Sequence, residues 1–225
     1  MGSDWTRFPL TITVQDYVRR RSPVRELPPQ PLTPVRQDTP QTDLNHEAVL
    51  QFILDHEGAL SRERGHGGYS NRGITQESWH AWLAEQGDQS HLPAEVRNAT
   101  LTDSKRFYYD YFEKYHVWEL HPALQLIYAD FATLAGHQAT RKVQEIVGTH
   151  RDGIWGVRTA AAVARFNTTL TTKQKQRDAF ESLDSMKRAF FKRLGRHPEH
   201  KDDLPGWLQR ADDVKMYMQP YFTNN

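Results

Sequence analysis

Cysteine is absent from the 225 residues of this chain. Its absence excludes disulfide bonds, thiolate nucleophiles and cysteine-based metal sites. It does not distinguish an oxidising from a reducing compartment, because both tolerate a chain without cysteine. The chain has 11 histidines, but they are scattered, and the closest pair, His197 and His200, lies in a charged loop with a proline. We therefore predict neither a metal site nor a cofactor.

An excess of one charge is also missing, because 29 basic and 28 acidic side chains give a formal net charge of +1. With such a balance, the protein as a whole does not attract nucleic acid electrostatically. A local alternative is the arginines from Arg19 to Arg25 together with the lysines between 173 and 192, although the lysines are typical of a solvated helix face. No nucleic-acid partner is predicted.

Long hydrophobic runs are absent too. No run approaches the roughly 20 apolar residues that span a bilayer. The first ten residues do not show the basic segment followed by an apolar one that marks a secretion signal. We expect no membrane insertion and no signal peptide. A substrate outside the cytoplasm would then require delivery by a pore, an injecting particle or lysis.

Residues 1–43 are rich in proline, with seven of the 12 prolines, and poor in large apolar side chains. This composition predicts an irregular, extended N-terminal arm that anchors or links the protein. Leu10, Ile12 and Val14 alternate with threonines, so a short strand in the arm could pair with a partner's sheet edge.

Residues 44–225 show helical periodicity and form the second predicted domain. Glycine and hydroxyl residues between 58 and 74 favour a small β-hairpin. The predicted fold is mainly α, as one helical domain behind the arm. The expected helices begin at a cap on Asp43 or Asn45, at a cap on Thr75 and near Thr102, and then run from Pro122 to Gly136, His137 to Val147, Thr159 to Phe166 and Lys173 to Leu194.

Glu57 is the most informative residue. It follows Ile53 by four positions, so its carboxyl group should point with the apolar stripe of the first helix, and Gly58 should end that helix. A carboxyl group held among apolar side chains is typical of the general acid in glycoside cleavage. The hydroxyl-rich turn that follows suits a sugar substrate.

Five separated motifs resemble those of the N-acetylmuramidases of glycoside hydrolase family 108. They lie in the family's order and cover about residues 46 to 217. The motifs are His56-Glu57-Gly58-Ala59, the turn from Gly65 to Thr75, Asp130-Phe131-Ala132 through Gly136, Asp152-Gly153-Ile154-Trp155-Gly156-Val157-Arg158-Thr159, and Gly206-Trp207-Leu208-Gln209-Arg210.

The resemblance implies a lysozyme-like fold and cleavage of the β-1,4 bond between N-acetylmuramic acid and N-acetylglucosamine in peptidoglycan. Glu57 holds the position of the catalytic acid, and Ser70 stands where the family has threonine. Residues 137–217 correspond to a peptidoglycan-binding-like helical half. We expect substrate contacts from Tyr69, Asn71, Thr75 and Asp130.

One departure concerns the second catalytic group, because Gly65 stands where the family pattern has aspartate. Glu63 is the nearest replacement in sequence, and His66 is an alternative base. If neither reaches the substrate, the reaction could follow the lytic transglycosylases, in which one glutamate acts alone. A catalytically inactive, lysozyme-fold binding protein is the remaining alternative.

The arm and the absent export signal favour an enzyme carried in a phage virion, where a tail protein would bind the arm and the enzyme would open the wall locally. A released endolysin is the alternative. In both cases the expected location is the virion or the host cytoplasm, with action on glycan strands in the periplasm after delivery.

Overall fold

The computed structural model of this protein describes residues 44–58, 61–62, 69–87 and 89–223. The predicted arm, Glu63 and His66 lie outside these residues. In the described part the α-helices are α1 (His46–His56), α2 (Gln76–Leu83), α3 (Leu101–Lys114), α4 (Pro122–Ala135), α5 (His137–Ile146), α6 (Val157–Thr169), α7 (Lys173–Leu194) and α8 (Leu204–Thr223). Single 3-10 turns lie at Val96–Asn98, Val117–Glu119 and Pro198–His200. The prediction of a mainly α fold is confirmed.

Side-chain caps fix the starts of the first three helices. Asn45 caps α1, and Thr75 accepts a hydrogen bond from the backbone N–H of Ser78 at 3.0 Å to cap α2. α3 begins at Leu101, slightly before the predicted start, because Thr100 and Asp103 form a reciprocal capping box. Each cap satisfies backbone donors that the first helical turn leaves without a partner.

The helix α4 forms the centre of the core. Pro122 occupies its first turn, where the missing N–H has no helical acceptor, and residues 123–134 are all buried. α4 packs against α1, α5, α7 and α8. A helix that is buried on every side needs apolar residues all round, and α4 carries them except at a few polar positions that include Asp130.

The predicted hairpin is part of a small antiparallel sheet of three strands in the order β1-β2-β3. The strands are β1 (Ser61–Arg62), β2 (Tyr69–Asn71) and β3 (Ile74–Thr75), and Asn71 pairs with Ile74. Only Arg72 and Gly73 connect β2 to β3, and both have positive φ, at 49° and 75°. Positive φ at both central residues defines a type I′ turn, which matches the twist of the strands.

Differences from prediction lie in the C-terminal half. α6 starts at Val157 and ends at Thr169, so it extends beyond the predicted bounds at both ends. The helix α8 was not predicted, because Pro205 and Gly206 are typical of a loop. Pro205 is tolerated there since it lies in the first turn of α8. No helix within the described ranges has both the length and the apolar character needed to cross a membrane.

Candidate active site

Glu57 lies immediately after α1 and not within it. The helix ends at His56, earlier than the predicted stop at Gly58, because the backbone of Glu57 is extended, with φ −86° and ψ 144°. Its N–H still bonds to the carbonyl of Ile53 at 3.0 Å. The extended backbone turns the Glu57 side chain towards the sheet and α8, where only 6% of it is exposed.

This carboxyl group belongs to a buried set of four charged side chains, and its nearest partner is a guanidinium group and not the apolar stripe that the sequence predicted. Arg210 on α8 donates from Nη1 to Glu57 Oε1 at 2.7 Å. The Nε of Arg210 also donates to Asp130 Oδ1 on α4, and Lys187 on α7 donates to Asp130 Oδ2. The side chains of Asp130 and Lys187 are 0% exposed and that of Arg210 is 5% exposed. We name Glu57, Arg210, Asp130 and Lys187 the buried charge network.

Two acids and two bases make the buried charge network neutral when all four are ionised. Burial alone would raise the pKa of Asp130, but the charges of Arg210 and Lys187 reverse this effect and lower it. Burial disfavours charge on Arg210, yet Asp130 and Glu57 together raise its pKa above the ordinary value. Burial lowers the pKa of Lys187, because its one carboxylate partner offsets only part of the desolvation.

Glycine at position 73 permits the close approach of Glu57 to the β2–β3 turn. A Cβ atom added to Gly73 would overlap Oε2 of Glu57 and come within 2.9 Å of the Tyr108 hydroxyl oxygen. Tyr108, on α3, donates from that hydroxyl to the carbonyl of Arg72 at 2.9 Å. Thus Gly73 satisfies two requirements, the positive φ of the turn and the space for the carboxyl group.

An open groove of about 460 Å³ lies beside Glu57. Its floor and walls come from the end of α1, the β2–β3 turn and the 3-10 turn at Val96–Asn98. Among the described residues that line it, Glu57 is the single carboxylate. The lining residues are Leu54, Glu57, Gly58, Asn71, Arg72, Arg97 and Ala99.

Asn71 ties two walls of the groove together. Its amide nitrogen donates to the carbonyls of Val96 and Ala99, both at 3.0 Å. Its oxygen accepts from Nη1 of Arg72 at 3.1 Å. These bonds hold β2 against the 3-10 turn, so the side chain of Asn71 forms part of the groove's frame as well as its lining.

The structure places the other predicted site residues at different depths. Tyr69 is half-buried on β2, with the guanidinium of Arg97 5.0 Å from the centre of its ring, and Ser70 is buried beside it. Thr75 uses its hydroxyl to cap α2. Asp130 is fully buried behind Glu57 and reaches it through Arg210, so its position fits support of the carboxyl group better than the expected substrate contact.

Three residues at this site were not predicted as functional. Arg210 stands in the Gly-Trp-x-x-Arg motif, but the sequence gives no partner for it. Lys187 interrupts the apolar side of α7, and a lysine among phenylalanines is a signal for a buried ion pair. Gly73 lies in the motif from Gly65 to Thr75, but the sequence does not show its contact with Glu57.

Residues 50–136 match the model of the family described as glycosyl hydrolase 108, which confirms the family resemblance for this segment. This match supports a peptidoglycan-degrading, lysozyme-like glycosidase. A comparison with curated proteins gave no match. Among solved structures, the chain is similar to SagA of Brucella abortus, with a TM-score of 0.59 and 23% identity over 80% of this chain and 97% of that one. The likeness to SagA shows a shared fold. A peptidoglycan-binding C-terminal half stays a prediction.

Proposed function

We propose that this chain, whose residues 50–136 match the family model described as glycosyl hydrolase 108, cleaves the β-1,4 bond between N-acetylmuramic acid and N-acetylglucosamine in peptidoglycan. Glu57 is the general acid, which donates its proton to the glycosidic oxygen as the bond breaks. The observation that carries the proposal is the position of this carboxyl group, which is held in place by buried partners and lines an open groove.

The buried charge network assists the proton donation. A glycosidic oxygen is a weak base, so its protonation becomes easier when the carboxylate left behind is stabilised. Arg210 already donates to Glu57 Oε1, and it is held by Asp130 in that orientation. Its charge therefore stabilises the carboxylate that develops in the transition state, without a rearrangement at the moment of reaction.

Two routes can complete the cleavage. In hydrolysis, a second group activates water, and Glu63 or His66 fills that role. In the transglycosylase route, Glu57 is a carboxylate after it has donated its proton, and it removes the proton from the sugar's own 6-hydroxyl. That oxygen attacks the anomeric carbon from which the leaving group departs and forms an anhydro ring. Glu57 is the one carboxylate in the described lining of the groove, and the second route needs only one.

Mass spectrometry of purified peptidoglycan after incubation with the protein tests the proposal. A new reducing end on N-acetylmuramic acid indicates hydrolysis, and an anhydro end indicates transglycosylation. Release of peptides without cleaved glycan would assign a different bond class, and binding to the wall without any soluble product would identify an inactive scaffold. A heat-denatured sample controls for spontaneous degradation.

For the biological setting, we propose that the N-terminal arm carries the enzyme in a phage particle. The support is the composition of residues 1–43, which is unsuited to a core of its own. Deletion of residues 1–43 should abolish incorporation into particles while cleavage of isolated walls survives. Normal packaging of the truncated protein would instead favour a released endolysin.

A further inference from the structure

We propose that Arg72 and Arg97, named here the arginine pair, bind a carboxylate group of the glycan substrate next to the bond that Glu57 cleaves. The inference rests on the proposed function and names the chemical feature by which the groove selects its glycan. Glu57 reacts with the glycosidic oxygen, and the arginine pair distinguishes an acidic glycan from a neutral one.

The arginine pair lines the same groove as Glu57, from two different elements. Arg72 is the first central residue of the β2–β3 turn, and Arg97 lies in the 3-10 turn that Asn71 ties to β2. A ligand in the groove would therefore lie beside the acid and two guanidinium groups.

Arg72 is held in a fixed position on the groove wall. Its Nη1 donates to Asn71 Oδ1 at 3.1 Å and to the carbonyl of Ala99 at 3.3 Å. A guanidinium has five N–H donors, and these two bonds use Nη1, so Nη2 and Nε remain as the donors for an anion. The positive φ of Arg72 in the turn also sets the direction of its Cα–Cβ bond.

Arg97 is exposed and is held more loosely. Its guanidinium lies 5.0 Å from the ring centre of Tyr69 and pairs with the exposed carboxylate of Glu95. Exposed ion pairs of this kind contribute little to stability. A carboxylate of the substrate can thus replace Glu95 at low cost while Tyr69 continues to support the guanidinium.

The local charge of the groove favours an anion. Its described lining contains two arginines and one carboxylate, and Glu57 is paired with Arg210, which lies behind it. Glu57 carries no charge as the protonated acid, and as a carboxylate its charge is balanced by Arg210. Among the described residues, this leaves Arg72 without a carboxylate partner in the groove lining and Arg97 paired only with the exposed Glu95.

The chemistry of the substrate supplies a matching group. A strand of N-acetylglucosamine alone is neutral. Muramic acid carries a lactyl carboxylate where no peptide is attached, and where a peptide is joined to that group by an amide bond, the peptide carries carboxylates of its own. A guanidinium binds a carboxylate with two parallel, charge-assisted hydrogen bonds. The shared feature is a carboxylate, either from the lactyl group or from the attached peptide.

Steady-state kinetics on two glycans, each before and after conversion of its carboxylates to amides, test the inference. One glycan keeps its peptides, and the other has lost them to an amidase and has a free lactyl carboxylate. The proteins are the wild type, the double variant Arg72→Gln/Arg97→Gln, the single variant Arg97→Gln and the control Arg106→Gln, which removes an exposed arginine of α3 outside the groove lining.

We expect amidation to raise the KM of the wild type and of Arg106→Gln by roughly tenfold, the size of one charge-assisted contact. The double variant should have the raised KM from the start and should not respond to amidation, and Arg97→Gln should lie between. An effect confined to the glycan with peptides assigns the carboxylate to the peptide, and an effect that persists without peptides assigns it to the lactyl group.

The inference fails if amidation leaves the wild-type KM unchanged, or if it raises the KM of the double variant as much as that of the wild type. Failure of the proposed function gives a different result, namely no glycan fragments from either unmodified substrate with the wild-type protein. Thermal unfolding of each variant verifies that a change in KM does not come from loss of folded protein.

Discussion

The groove wall and the helices behind it contrast in the way they hold charge. On the wall, Arg72 is half-buried and Arg97 is exposed, and they are held by turn geometry, a backbone carbonyl and a surface ion pair. Behind it, Arg210 and Lys187 are buried on α8 and α7 and are held by carboxylates. Basic side chains thus occupy a more exposed environment on the groove wall and a buried one behind it.

The two regions therefore have different roles at the candidate site. Exposed arginines can exchange partners, so they suit a ligand that comes and goes. Buried ion pairs cannot lose a partner without leaving a desolvated charge, so they suit a permanent frame. Glu57 lies at the boundary, with its backbone at the end of α1, its carboxyl group bound from behind and its side chain in the groove lining.

Replacement of Glu57 should have the largest effect, because it removes the group on which both regions converge. Glu57→Gln keeps the shape and the contact with Arg210 but has no acidic proton. We expect a loss of glycan cleavage of roughly a thousandfold or more in a protein that still folds, which its circular dichroism spectrum should show. Full activity in this variant, measured by release of soluble fragments from isolated walls, would remove Glu57 from the mechanism.

Removal of Lys187 tests the buried side of the comparison. Lys187→Met leaves Asp130 with Arg210 as its remaining cation, and breaking a buried pair costs about 3 kcal/mol. Urea unfolding should show this loss. The matched control is Lys192→Met on the same helix, whose exposed side chain should change the unfolding free energy by less than about 0.5 kcal/mol. Equal effects of the two variants would contradict the importance of the buried charge network.

Gly73→Ala tests the contact between the two regions. The added Cβ overlaps the Glu57 carboxyl group and also strains the positive φ of the turn. Because a displacement of about 1 Å near the reacting atoms can cost roughly a hundredfold in rate, we expect a loss of that order in kcat. Gly87→Ala is the control, since a Cβ there meets no atom within 4 Å. Similar activities of the two variants would show that Glu57 tolerates displacement.

Acid should weaken the buried charge network. In the unfolded chain Asp130 protonates near 3.8, and in the folded protein its pKa is lower. The stability that Asp130 contributes is therefore present above that value and is lost as the pH falls through the lower, folded pKa. Urea unfolding should show a fall between about pH 5 and about pH 3 that is shallower in Asp130→Asn. An equal slope in both proteins would contradict a role for Asp130 in acid stability.

The smallest effect is expected from Tyr108→Phe, which removes the hydroxyl that holds the carbonyl of Arg72. One hydrogen bond contributes about 1 kcal/mol, so thermal and urea unfolding should show a loss of that size. A modest reduction in cleavage should follow, because the turn carries both Arg72 and Gly73. Tyr109→Phe, on the more exposed neighbour, is the control and should behave as the wild type.

Much of the fold could be predicted from short patterns. Asn45 and Thr75 cap helices as expected, and Pro122 and Lys173 mark the starts of α4 and α7. These predictions succeed because a cap or a first-turn proline acts on backbone groups within four residues. The helix α8 was missed because Pro205 and Gly206 disfavour a helix locally, whereas burial of Trp207 and Val214 against the core favours one.

The candidate site was predictable in part. The sequence singled out Glu57 and the turn beside it, since both lie within one stretch of about twenty residues. It did not identify the contact with Arg210, which is 153 residues away along the chain. The roles of Glu57, Ser70, Glu63 and His66 in catalysis stay predictions.

The sequence by itself determined the helical class, the caps, a small hairpin between residues 58 and 74 and the absence of cysteine chemistry, because each depends on composition or on near neighbours. Only the tertiary structure decided that Glu57 meets Arg210, that Asp130 and Lys187 lie behind them, and that two arginines share the groove. Those contacts depend on how α4, α7 and α8 pack, and packing brings together charges whose separation along the chain carries no signal of their partners.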